Sequence, residues 1–289
     1  MSASRATSVF PARYAALVVD HLKRGAERVG ERMDAARETM GDRVDAARGA
    51  AAERAGAARD AVGEKASAAK EAAAEAIAAV KPRLRGVSHE WAFFVSLGLG
   101  VALIAAADSP EGTLAMAIYA ASLSALFGTS ALYHRVNWQR PRVRQWMRRL
   151  DHSMIFFLIA GTYTPFALLV LDGSLADTIL AAVWIGAAAG SVVEMIWINH
   201  PKWVAAVIYM SLGWVAVIAF PQMWDAMGPA GMLLIGAGGL LYTAGAVVYA
   251  TQRPNPNPAV FGYHEIFHLF VIAAAAFHFA AVAIYALPA

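Results

Sequence analysis

The sequence predicts an all-α membrane protein: a seven-transmembrane helix bundle behind an amphipathic arm that is helical or partly disordered. Three observations predict it. Of 289 residues, 59% are apolar and 16% charged, too apolar for an ordinary soluble domain. The charge is crowded at one end, since residues 1–80 hold 13 of the 24 Lys+Arg and 12 of the 21 Asp+Glu. Beyond Pro82 and Gly86, seven apolar stretches follow in succession, each near the roughly 20 residues a helix needs to cross a bilayer. The expected domains are a charged, Ala-rich arm over 1–80 and a membrane domain over 86–287.

The arm is repetitive. Asp34-Ala-Ala-Arg37 returns as Asp45-Ala-Ala-Arg48, Gly56-Ala-Ala-Arg59 and Ser67-Ala-Ala-Lys70, each copy starting 11 residues after the last. From Val29 to Val80 small apolar residues keep a 4-4-3 spacing, the period of a nearly straight helix with one apolar side. The stripe is mostly Ala, and Gly41, Gly49, Gly56 and Gly63 weaken the helix by up to about 1 kcal/mol each. Such an arm suits the headgroup surface or a partner helix. A solvated, partly disordered segment is the plainer alternative.

The spans are expected at Glu90–Ala107, Leu114–His134, Leu150–Leu171, Leu175–Ile198, Trp203–Met223, Pro229–Ala250 and Gly262–Leu287. Their connections alternate in charge. Lys81, Arg83 and Arg85 precede the first span. The Arg135–Arg149 segment follows the second, Lys202 the fourth and Arg253 the sixth. The other loops carry Asp108, Glu111, Asp172, Asp177 and Asp225 without Lys or Arg. The positive-inside rule then places the arm in the cytoplasm and the C-terminus outside a cell membrane. No apolar run precedes the arm, so the first span is expected to direct insertion. The net charge of +3 falls in short loops rather than on a face, so nucleic acid is not an expected partner; membrane lipids are. With no Cys, neither disulfides nor thiolate metal sites arise.

Orientation brings several ionisable groups to one depth. His264 and His268 share a helix face at the inner end of the last span. Ser130 and His134 end the second span on the same side, and Asp151 begins the third. Such residues inside a membrane are costly and mark a site by default. His134, His264 and His268 are a sufficient ligand set for Zn²⁺ with the fourth position open, as in catalytic zinc sites. A bound metal would make hydroxide from water near neutral pH. Asp151 is placed to accept that water's proton, and Ser130 to hydrogen-bond Asp151 or a substrate oxygen. An aqueous proton path is the competing use of these histidines. His264-Glu265-x-x-His268 also matches a metalloprotease pattern with Glu265 as base, but Asp151 ranks ahead of it. The remaining polar groups have plainer readings: His89, His152, His200 and His278 as interfacial hydrogen-bonders, Glu194 as partner of the Arg-rich loop, Asp151 as a first-turn acid.

The chain resembles the hemolysin III family, the bacterial branch of the progestin and adipoQ receptor proteins. The stretches that carry the resemblance are Ser130-Ala-Leu-Tyr-His134, Leu150-Asp-His-Ser-Met-Ile-Phe-Phe-Leu-Ile-Ala-Gly-Thr-Tyr-Thr-Pro-Phe166 and Phe261-Gly-Tyr-His-Glu-Ile-Phe-His268. The resemblance implies seven membrane helices and zinc near the cytoplasmic side. It carries family positions onto Ser130, His134, Asp151, His264 and His268. The wider superfamily includes alkaline ceramidases, which implies zinc-dependent hydrolysis of a lipid amide or ester. The family name implies a pore instead, and a sensor with structural zinc is a third expectation. Two departures stand out. The first span reads Val87-Ser88-His89-Glu90-Trp91 where bacterial members usually have Asn-x-x-Thr-His-Gly. Glu265 stands where the animal receptors commonly have Gln.

Overall fold

The structure, a computed structural model, describes residues 12–79 and 82–288, leaving out the side chains of 12–16 and 67–79. Val80 and Lys81, the end of the repeat and the first basic flank, lie outside the described residues, as do the side chains of the repeat copy at Ser67. The chain divides into two units, Met1–Glu75 and Ala76–Ala289.

In the first unit the arm is helical, part of α1 (Ala12–Ala79). The repeat reappears as ion pairs one turn apart: Asp34 with Arg37 at 4.0 Å and Asp45 with Arg48 at 3.9 Å. All four side chains are exposed, so these pairs stabilise the helix little. The stripe residues Met33, Met40, Val44 and Val62 are exposed as well. The arm's helicity therefore rests on Ala propensity rather than on a core.

In the second unit the helices are α2 (Val87–Ala105), α3 (Pro110–Arg135), α4 (Pro141–Leu169), α5 (Gly173–Ile196), α6 (Lys202–Gly213), α7 (Phe220–Thr251) and α8 (Tyr263–Ala281). A 3₁₀ segment, Trp214–Ala219, joins α6 to α7, and α8 runs on through a π turn, Val282–Ala286. Each helix packs on the next, and α8 returns to α2, so the bundle is a closed ring. Among the described residues six helical stretches are long and apolar enough to cross a membrane; one of them, Lys202–Thr251, has 50 residues. That is about twice the length of a crossing. It is broken at Gly228, whose φ of 63° and ψ of −171° no helix holds, and Pro229 restarts the helix there. The fifth and sixth predicted spans are its two halves.

Two helices exceed the apolar runs that predicted them, because apolarity marks bilayer thickness and not where hydrogen bonding stops. α3 starts at Pro110, with Ser109 as its cap accepting from the Gly112 N–H at 2.9 Å. α4 starts at Pro141, so Arg142, Arg144, Arg148 and Arg149 are helical and only residues 136–140 form the loop. Asp151 therefore lies well inside α4, and its reading as a first-turn acid does not hold.

The core gathers Met116, Tyr119 and Phe127 of α3, Phe156 of α4 and Val183 of α5. The irregular fifth span is stitched by Tyr163 of α4. Its hydroxyl donates to the Gly213 carbonyl at 2.6 Å and accepts from the Ala216 N–H at 2.7 Å. Backbone groups freed at the α-to-3₁₀ change thereby find partners where lipid offers none.

Candidate metal centre

At the end of the ring where α3 finishes and α8 begins, the chain before α2 runs beside the chain before α8. Arg83 N–H donates to the Ala259 carbonyl at 3.1 Å, and Leu84 N–H to the Val260 carbonyl at 3.2 Å. Glu265 ties the corner. One carboxylate oxygen accepts from the Gly262 N–H at 2.7 Å, satisfying a free donor at the start of α8, and the other pairs with Arg85. Both oxygens of this buried group already have partners, so Glu265 anchors the corner, in keeping with its rank below Asp151. Lys202, at the start of α6, donates to the Tyr263 hydroxyl and binds that helix to α8 at the same end.

This corner fixes the three predicted ligands. Gly86, with φ of 80°, caps α2 directly against α3; a Cβ there would stand 2.7 Å from the Cβ of His134. Only glycine permits both the backbone angle and the approach. His134, His264 and His268 are buried and offer ligand atoms all within 4.8 Å of one another. Ring centroids lie 4.5 Å apart for His264 and His268, 4.7 Å for His134 and His264, and 5.2 Å for His134 and His268.

The donor set fits a metal ion. Nε2 of His134 and Nε2 of His264 are 3.1 Å apart. Two ligand nitrogens on one tetrahedral zinc-like ion sit about 3.3 Å apart. Nδ1 of His268 is buried with no hydrogen-bond partner, a cost that a partner absent from the polypeptide would remove. The group could therefore bind a metal. Asp151 Oδ2 lies 3.5 Å from Nε2 of His134, the same nitrogen that approaches His264. The structure thus brings Asp151 to the edge of the triad.

Ser130, Asp151, His264 and His268 line one elongated cavity of about 340 Å³. From this polar end it runs through the ring along apolar side chains such as Ile155, Phe166 and Met223. Its wall on the α6–α7 side includes Trp214, Val217 and Phe220, which are exposed. His278 lines it at depth, with Nε2 3.2 Å from the Ile235 carbonyl.

A second polar cluster lies nearby. Glu194 is bracketed by His152, whose Nδ1 is 3.2 Å from Oε2, and by His200, whose Nε2 is 2.9 Å from Oε1. The Tyr209 hydroxyl donates to Oε1 at 3.0 Å. The expected pairing of Glu194 with the Arg-rich loop gives way to this one. His152 and His200 are indeed hydrogen-bonded, but inside the bundle rather than at an interface.

His89 is what sequence reasoning missed. It is 2% exposed, its ring lies flat on His268 with centroids 3.7 Å apart and planes 9° apart, and neither ring nitrogen has a hydrogen-bond partner. It is no interfacial hydrogen-bonder. The one signal was its match to the His of the family's first-span motif.

A ring of seven membrane spans with a buried three-histidine centre at one end defines a multi-pass membrane protein with a candidate metal site. The chain belongs to the haemolysin-III-related family, which matches residues 77–279. Hemolysin-3 of Bacillus cereus is 33% identical over 62% of this chain and 78% of its own length. The Hemolysin-3 homolog of Bacillus subtilis is 32% identical, over 58% and 75%. The human monocyte to macrophage differentiation factor is 30% identical, over 57% and 67%.

Proposed function

We propose that this protein is a zinc-dependent hydrolase of a lipid amide or ester, lying in the cell membrane with its arm and metal centre on the cytoplasmic side. The observation that carries this reading is the placement of the histidine triad and Asp151 at the polar end of a long apolar cavity. That shape suits an acyl chain with its linkage at the histidines. The exposed cavity-wall residues Trp214, Val217 and Phe220 suit entry from lipid.

In this reading His134, His264 and His268 would hold Zn²⁺, which would supply Lewis-acid chemistry and activate water near neutral pH. Asp151 takes the proton of the attacking water as it adds to the acyl carbon. It then passes that proton to the departing amine or alkoxide as the C–N or C–O bond breaks. Ser130, which lines the same cavity, offers its hydroxyl to a substrate oxygen. The apolar wall keeps bulk water from the reacting carbon. The alternation of basic and acidic loops supports the orientation.

Purified protein and its Asp151→Asn variant, given fluorescent ceramides and acyl esters in detergent, provide the test. Wild type should turn over at least one class, and the variant should lose about 10²-fold or more in kcat. Equal turnover by both would sink the hydrolase reading. The name of the Bacillus cereus relative favours a pore, which predicts leakage from liposomes carrying the protein. The apolar wall of the cavity speaks against a water-filled path.

A further inference from the structure

We propose that His89 is a further catalytic residue, the hydrogen-bond donor that holds the carbonyl oxygen of the lipid amide or ester at the metal centre. The inference rests on the hydrolase reading. Its grounds are the stacking of His89, its two partnerless nitrogens and its place in the cavity wall.

A buried imidazole with neither nitrogen paired forfeits the hydrogen bonds it would make to water in the unfolded chain. Such groups in folded proteins have a partner that is water, ion or ligand. Within the described residues the other three histidines at this spot have a common use, and His89 is set apart from it by geometry. Imidazole ligates through a lone pair in the plane of its ring. The planes of His89 and His268 are 9° apart and stacked, with centroids separated by 3.7 Å. The ligand atoms that converge are those of His134, His264 and His268, and His89 is not among them.

What the stack does is hold an imidazole edge in the cavity wall beside the triad. The Phe127 ring packs edge-to-face with His89 at a centroid distance of 5.0 Å, a second contact that fixes the imidazole. A neutral imidazole carries one N–H. The reacting end of an amide or ester offers one strong acceptor, the carbonyl oxygen, on which negative charge develops as water adds. A fixed donor there lowers the barrier because it needs no reorganisation.

His89→Phe keeps a ring on His268 and removes both nitrogens, while His89→Gln returns an N–H donor. The probe is a long-chain N-acyl amide, ¹³C-labelled at the carbonyl and bound in an Asp151→Asn background that blocks turnover. Isotope-edited infrared spectra should show the bound carbonyl stretch at lower wavenumber with His89 present. That shift should vanish in His89→Phe and return in part in His89→Gln. Zinc content should be equal in all three. In the otherwise wild-type chain His89→Phe should lower kcat by about 10²-fold with little change in KM. A bound probe whose carbonyl frequency ignores residue 89, or zinc lost with His89→Phe, overturns the assignment and leaves the hydrolase reading standing. A probe that does not bind at all overturns both.

Discussion

At the residue scale the bundle separates groups that do chemistry from groups that hold them. Glu265 sits between two candidate ligands in sequence, yet its oxygens serve the Gly262 N–H and Arg85. Glu265→Gln should keep bound metal and lose about 1–3 kcal/mol of stability, since a charge-assisted pair becomes a neutral one and Arg85 loses its counter-ion. Thermal unfolding in detergent, read beside metal content, checks this; loss of metal at unchanged stability would make Glu265 part of the chemistry. The triad itself was legible because four-residue spacing puts two histidines on one helix face and loop charges fix which ends meet. His89 was not, because a single His at the start of a span has no periodic partner and acquires its role only when α2 closes against α8. Glu194 failed for a different reason: opposite charge favoured the arginines, whereas its partners are neutral-looking histidines on α4 and in the loop after α5.

At the element scale, apolar runs located the spans but not the helices. α4 gains its first turns from Pro141 and from the exposed Arg142 and Arg144, which carry no apolar signal. The fifth span changes to 3₁₀ directly after Gly213, and Tyr163 rather than local sequence satisfies the backbone groups freed there. Gly228-Pro229 was the readable break. The Gly228 angles fall in a region open essentially to glycine alone, and no atom stands within 4 Å of a Cβ built there. Gly228→Ala should therefore cost about 1–3 kcal/mol through backbone strain only. A fall in the detergent melting temperature with metal content unchanged is the expected result. No change in melting temperature would mean that this turn relaxes to another conformation.

At the scale of the whole molecule, the candidate centre exists because the ring closes. His134 ends α3 and His264 opens α8, 130 residues apart in the chain, and the approach of α8 to α2 sets them side by side. Closure also encloses the cavity that gives the centre something to act on. The family match begins at residue 77, so the arm stands outside nearly all of what the relatives share. The direct test of the account is the metal content of full-length protein purified from zinc-supplemented cells, by mass spectrometry, for wild type and His264→Ala. The account predicts about one zinc per wild-type chain and little or none in the variant. Wild type without metal, or a variant carrying as much zinc as wild type, would contradict it.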